Sequence, residues 1–283
     1  MLSAFCEVVG NFIYIHFDKP EGEFFMTKFF YALLACAFVF CFASNSQARS
    51  FEDIVASGTL RVGTTGDYKP FSFNREGSFE GFDIAVAESF AKRMGLKLEL
   101  VNTSWRTLMA DLKADKFDIG MSGITRTISR QKEARFSQGY IMFGKTVLVN
   151  KDNAARFKSL ADVDKKGVRI GVNPGGTNEK FVKANIKNAK IVMFESNLAI
   201  PQAVADKKVD VMITDSVEAL FYSASNEKLA APIANTPFTR AQLGYLMSAD
   251  AERLQDTVNF MMDQMILKDE MATLKKQYLH MGE

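Results

Sequence analysis

From Thr59 onward the chain alternates short apolar runs with longer stretches whose apolar residues recur every three or four positions. TLRVGTT reads as a strand, FDIAVAESFAKRMG as an amphipathic helix ended by glycine, and LKLELV as a second strand. WRTLMADLKAD then predicts a helix and FDIGMSG a strand, followed by the polar TRTISRQKEARF and the apolar KTVLVN. A second round runs through the strand VRIGVNPGG, the helix TNEKFVKANI, the strand KIVMF, the helix IPQAVADKK and the strand VDVMITD. Such alternation predicts an α/β fold with parallel sheets.

The two rounds also match residue by residue. LKADKFDIGMSG and VADKKVDVMITD each pass from a helix through an Asp-Lys turn into a buried strand, which aligns Asp118 with Asp210, Ser122 with Thr214 and Gly123 with Asp215. Ligands of open parallel sheets bind beyond the carboxyl ends of the strands. Two such units facing each other set MSG and ITD on opposite walls of one cleft, in a two-lobed molecule that closes about a hinge. A single sheet with two similar units and no cleft is the alternative. The two-lobed reading divides the chain into residues 49–145 with 245–283 as the first lobe and 146–244 as the second.

The segment before this pattern has another character. From Met26, MTKFFYALLACAFVFCFASNSQA carries a lysine, an apolar run and small residues at its end, the pattern of a secretory signal peptide cleaved after Ala48. LLAC, ending at Cys36, suggests a lipoprotein instead, but the apolar stretch runs on past that cysteine. Residues 1–25 read as an upstream extension. Cys6, Cys36, Cys41 and His16 all precede Arg49, so the remaining chain has no thiol, and His280 is its single histidine. That excludes Ser-His and Cys-His nucleophilic schemes and histidine-rich metal sites. The chain holds 35 basic and 33 acidic residues, of which the first 48 residues carry two and four, so the rest balances at 33 − 29 = +4. That excess is too mild and too evenly spread for nucleic acid.

Five stretches could carry chemistry. TTGDYKPFSF follows the first strand, where Asp67 and Tyr68 form either a wall for a small molecule or an ordinary strand exit. TSW adds Trp105, the single tryptophan, as ligand platform or core residue. MSGITRTISRQ places Ser122, Gly123 and Thr125 beside two arginines, Arg126 and Arg130, whose planar fork suits a carboxylate. GVNPGGTNEKF sets Gly175 and Gly176 before a helix start, with Thr177 or Asn178 as cap; amides there accept an anion, but the lysine of a phosphate loop is missing. Finally, VDVMITDSVEALF spaces Asp215 and Glu218 three apart. Either Asp215 caps the helix and Glu218 completes a capping box, or the two acids share a cleft wall where burial and repulsion keep one protonated as a general acid.

These motifs resemble the periplasmic solute-binding proteins of amino-acid importers, from about Phe51 to Leu279. The resemblance implies the type II fold, two lobes each with a mainly parallel sheet flanked by helices and a ligand cleft between them. It implies that Arg130 clamps an α-carboxylate with help from Ser122 and Thr125, that Thr177 stands at a second-lobe anion site, and that Asp215 takes an α-amino group. Lys145, Gly176 and Glu218 depart from that pattern. With TTGDYKPFS, TSW, MSGI and NPGGTNEKF they are similar instead to the cyclohexadienyl dehydratases, an importer-like fold turned to catalysis. This implies decarboxylative dehydration of prephenate to phenylpyruvate and of arogenate to phenylalanine, in the periplasm and with no metal or organic cofactor. It makes Glu218 the proton donor and Arg130 the holder of the side-chain carboxylate. Lys145 and the amides near Gly176 and Thr177 would orient the second anion, and Trp105 and Tyr68 would flank the ring. The alternative is a non-catalytic receptor that hands an amino acid to a membrane ABC permease.

Overall fold

The computed structural model describes residues 5–9, 12–16 and 48–279. Cys36, Cys41, His280 and all of the expected signal peptide but Ala48 lie outside the described residues. Phe5–Val9 and Phe12–His16, in the expected upstream extension, pair as antiparallel strands with Phe5 opposite His16. Ser46–Glu283 forms a separate compact unit, and all that follows concerns that unit.

Its two five-stranded sheets have one plan. The first runs Lys97–Asn102, Thr59–Thr64, Ile119–Gly120, Leu246–Ser248, Ala134–Phe136; the second runs Lys190–Met193, Arg169–Val172, Val211–Asp215, Lys145–Asn150, Leu229–Ala230. In each, the first three strands are parallel and the fourth is antiparallel to both neighbours. Four of five strands therefore point one way, the mainly parallel sheet expected for each lobe. The reversed strand is in each case the one that reaches its sheet just after the chain has crossed between lobes. It arrives from the hinge side without the helical crossover that parallel pairing needs.

The crossing is itself a small antiparallel sheet, Ile141–Phe143 against Ala241–Leu243. Past it, Gly144 leads into Lys145 and Gly244 into Tyr245. A Cβ at Gly144 would lie 1.7 Å from the Thr239 carbonyl, so only glycine fits where the two segments meet.

Period-two alternation sorts the second core onto two faces. Val147, Val149, Val211 and Ile213 pack in one cluster, while Leu148 and Met212 pack in another on the opposite face. The whole of Lys145–Asn150 is buried, which explains its unbroken apolar reading. In the first lobe, Phe82–Met94 buries Phe82, Val86, Ala87 and Phe90 at helical spacing and stops at Gly95, whose φ is 68°. Glu252–Leu267 adds Leu254, Val258, Met261 and Met265 to the same core. Each fully buried aliphatic side chain contributes about 1.5–3 kcal/mol, and the result is two sheets whose carboxyl ends face each other.

The internal repeat extends to polar anchors. Asp118 accepts from the Arg61 amide at 2.7 Å and from its guanidinium at 2.8 Å; Asp210 accepts from the Arg169 amide at 2.9 Å and from its guanidinium at 3.0 Å.

Candidate active site

A cleft between the lobes is lined by Tyr68, Trp105, Gly123 and Thr125 on one side and by Asn173, Gly176, Thr177, Asn178, Asn197 and Asp215 on the other. It encloses about 310 Å³ counting its opening to solvent, small for a ligand pocket. Hydrogen bonds span it: the Tyr68 hydroxyl donates to Asp215 Oδ2 at 2.5 Å, and the Thr125 and Thr177 hydroxyls lie 3.3 Å apart.

Asp215 occupies the N-cap position of the helix Ser216–Ser225 but makes no side-chain capping bond. The capping box is therefore not formed. Lys145, the residue directly opposite Asp215 in strand register, reaches over with its ammonium to donate to Asp215 Oδ1 at 2.5 Å, to Asn178 Oδ1 at 2.6 Å and to Thr177 Oγ1 at 2.9 Å. All three of its donors are thus engaged, and its side chain is only 7% exposed.

Glu218 turns the other way. It is completely buried and accepts from Asn197 Nδ2 at 2.6 Å and from the Thr214 hydroxyl. Burial pushes its carboxyl well above the usual range, the neighbouring Asp215 and Asp67 charges raise it further, and the two hydrogen bonds oppose the rise. Glu218 is not itself on the cleft wall; Asn197 and Asp215 stand there instead.

The predicted first-lobe residues separate into wall and support. Trp105 is half-buried, donates its indole N–H to Asp67 Oδ1 at 2.8 Å and meets the Tyr68 ring edge-on at 5.8 Å. Asp67 thus stands behind the wall and fixes Trp105, with burial raising its pKa. Ser122 also stands behind it: its hydroxyl pairs with Thr65 Oγ1 at 2.8 Å and accepts from the Thr65 amide at 3.1 Å, inside the first lobe. The Gly123 amide is taken by the buried Asp83 carboxylate. Gly123 still lines the cleft, and its φ of 65° with the Tyr68 ring 2.4 Å from a would-be Cβ requires glycine.

The structure separates the two arginines. Arg126 is on the surface, donating to Gln242 Oε1 at 2.7 Å. Arg130 is buried, and its guanidinium has one hydrogen bond among the described residues, to the Thr125 carbonyl at 3.0 Å. Desolvation lowers its pKa to about 10, so the cation persists at neutral pH. Arg130 borders a neighbouring open hollow, about 790 Å³ counting its opening to solvent, shared with Trp105, Arg106, Glu133, Gly175 and Lys180. On the far side, Gly176 is the N-cap of Thr177–Asn185, so the first-turn amides point to the cleft without intrahelical partners. Glu179 accepts from the Gly175 amide at 2.7 Å and stabilises that turn.

Asn173 and Asn197 were not among the residues singled out from sequence, although both follow strands of the second sheet at its carboxyl end. The strand-end rule could have found them. Among the described residues no group of three or more His, Cys, Asp or Glu is placed to hold a metal ion, and no helix is long and apolar enough to cross a membrane.

Comparison with known proteins bears on the family and the fold. Residues 60–281 match the family model of bacterial extracellular solute-binding proteins, family 3. A cyclohexadienyl dehydratase of Pseudomonas aeruginosa is 44% identical over 219 residues, covering 77% of this chain and 82% of that protein. The L-cystine-binding protein TcyJ of Escherichia coli is 28% identical over 76% of this chain and 83% of its own. Among solved structures, an ancestral amino acid-binding protein described as a precursor of cyclohexadienyl dehydratase superposes with a TM-score of 0.75 at 38% identity, covering 81% of this chain and 98% of that one. An ancestral cyclohexadienyl dehydratase is 50% identical, with a TM-score of 0.52 over 83% of this chain and 98% of its own. The chain belongs to the bacterial extracellular solute-binding proteins, family 3.

Proposed function

We propose that this protein is a cyclohexadienyl dehydratase, which removes water and carbon dioxide from prephenate to give phenylpyruvate and from arogenate to give phenylalanine. The observation that carries the reading is Glu218: a fully buried carboxyl, raised by desolvation, directly behind the Asn197 and Asp215 wall of the cleft. The substrate's ring hydroxyl and ring carboxylate leave together. A proton passes to the hydroxyl oxygen, the C–O bond breaks, and the electron pair of the C–CO₂⁻ bond moves into the ring. Aromatisation drives the step, so one proton donor and two oriented carboxylates suffice. Glu218 supplies the proton, a contribution of about 100- to 10,000-fold. Arg130 holds the side-chain carboxylate in a bidentate pair. The helix-start amides at Gly176 and Thr177 face the ring carboxylate, and Lys145 orients that helix start by donating to Thr177 and Asn178. Thr125 completes the anion site, and Tyr68 and Trp105 flank the ring and exclude water.

The same reading takes residues 26–48 as a signal peptide and the periplasm as the place of action. It divides the lobes at the paired hinge strands, as 49–144 with 245–283 against 145–244, one residue earlier than expected because Lys145 already opens a strand of the second sheet.

Lys145 also argues against a receptor for amino acids, because its ammonium already occupies the counter-charge position on Asp215. The test is turnover of prephenate by the chain from Arg49 onward, beside Glu218→Gln. The parent turns over, and kcat falls about 100- to 10,000-fold in the folded variant. Because the acid must be protonated, parent kcat holds at low pH and declines as pH rises through the Glu218 pKa. No turnover, with thermal stabilisation by an amino acid, would return the protein to the receptor class.

A further inference from the structure

Asn197 opens a short turn beyond the strand Lys190–Met193, on the second-lobe wall of the cleft. It is 2% exposed. Its Nδ2 donates to Glu218 Oε1 at 2.6 Å. Its side-chain oxygen has no partner, a condition shared among the described residues by one other buried side-chain atom, the Thr146 hydroxyl. A buried amide oxygen left unpaired is unfavourable, and this one belongs to a residue of the cleft wall. It calls for a donor on the ligand.

Prephenate, the substrate given by the reading above on which this inference rests, has one such donor. Both its carboxylates and its ketone only accept hydrogen bonds at neutral pH. The ring hydroxyl is its single O–H, and it is also the group that leaves. We propose that Asn197 is the positioning residue of the reaction: Oδ1 accepts the hydrogen bond of the ring hydroxyl while Nδ2 holds Glu218, so that one amide sets the leaving oxygen beside the acid. Asn197 neither gives nor takes a proton. Glu218 protonates the hydroxyl oxygen, water and carbon dioxide depart, and the Glu218 carboxylate recovers its proton from solvent.

The experiment compares Asn197→Ala and Asn197→Ser with the parent in three readouts: kcat/KM for prephenate, inhibition by phenylpyruvate, which lacks the ring hydroxyl, and the pH profile of kcat. Both substitutions lower kcat/KM about 10- to 100-fold, equivalent to one or two well-formed hydrogen bonds, and leave the phenylpyruvate inhibition constant within twofold. Removing the Nδ2 donor disfavours the Glu218 carboxylate, so the decline of kcat at the basic side moves to higher pH. Asn197→Ser, the smaller change, carries the test if the alanine variant fails to fold. Three results each overturn the proposal: kcat/KM retained within threefold, equal losses for prephenate and phenylpyruvate, or an unmoved basic limb. A parent that does not turn over prephenate defeats the functional reading itself, whereas an active parent with indifferent Asn197 variants defeats this inference alone.

Discussion

The ammonium of Lys145 lies 2.5 Å from the Asp215 carboxylate, and the two residues are register partners on adjacent strands with both side chains buried. Removing one partner of such a pair costs about 3–5 kcal/mol because the other charge stays buried. Lys145→Gln is expected to lower the thermal midpoint accordingly and to reduce prephenate turnover. It also leaves Asp215 in want of a cation. An α-amino acid such as arginine should therefore stabilise the variant in calorimetry while leaving the parent unmoved; a variant as unresponsive as the parent would contradict this account.

Asp83 is completely buried between the Gly123 amide and the hydroxyls of Tyr140 and Tyr245, at 3.0 and 3.3 Å. Burial outweighs these three donors and raises its pKa to about 7. Below the unfolded-state value near 3.8 the group is neutral in both states; as pH rises towards 7 the folded state keeps a proton that the unfolded chain has lost. Stability attributable to Asp83 is thus greatest at low pH and is lost as pH rises through about 7. Glu218 has the same sign. Melting curves of Asp83→Asn between pH 4 and 8 should show a shallower decline than the parent's.

Gly123→Ala should destabilise by at least about 1–3 kcal/mol through its positive φ alone. The added methyl would also meet the Tyr68 ring at 2.4 Å and displace the hydroxyl that donates to Asp215. Gly77→Ala is the control, since Gly77 has a φ of 92° and nothing near its would-be Cβ. Loss of turnover in the first variant and its retention in the second would separate clash from strain.

Asp118→Ala should cost more than Asp210→Ala, although the two residues repeat each other. The Asp118 side chain is 1% exposed and receives both Arg49 and Arg61, whereas Asp210 is 15% exposed and receives Arg169 alone. We expect about 3–5 kcal/mol against about 1–2 kcal/mol in urea unfolding; equal losses would show that Arg49 adds nothing.

The repeat was legible because both halves use one device, an Asp at the start of the third strand bonded to an Arg on the first. That Trp105, Thr125, Gly176 and Asp215 would line the cleft was legible because they follow strands at the cleft end of the sheets, whereas Arg130 borders the neighbouring hollow. The place of Ser122 was not legible, because consecutive residues of a strand exit face opposite ways and only the fold says which faces in; its hydroxyl bonds Thr65 instead. The Asp-x-x-Glu spacing could not say whether a capping box forms, since that depends on Lys145, seventy residues away in sequence, drawing off Asp215. Asn197 drew no notice because nothing in its neighbours signals an amide left with a free oxygen.

Lys145 is the second residue beyond the hinge strand Ile141–Phe143, and its own carbonyl accepts from the Phe238 amide of the returning segment at 2.7 Å. Displacement in a rotation grows with distance from the axis, so a group at the fulcrum travels least. When the lobes part, the Lys145–Asp215 pair goes with the second lobe intact, while the Tyr68–Asp215 and Thr125–Thr177 bonds, which bridge the lobes, must break. The Lys145–Asp215 pair behind the second-lobe wall is therefore in place before a substrate arrives, and closure has only to bring the opposite wall to it.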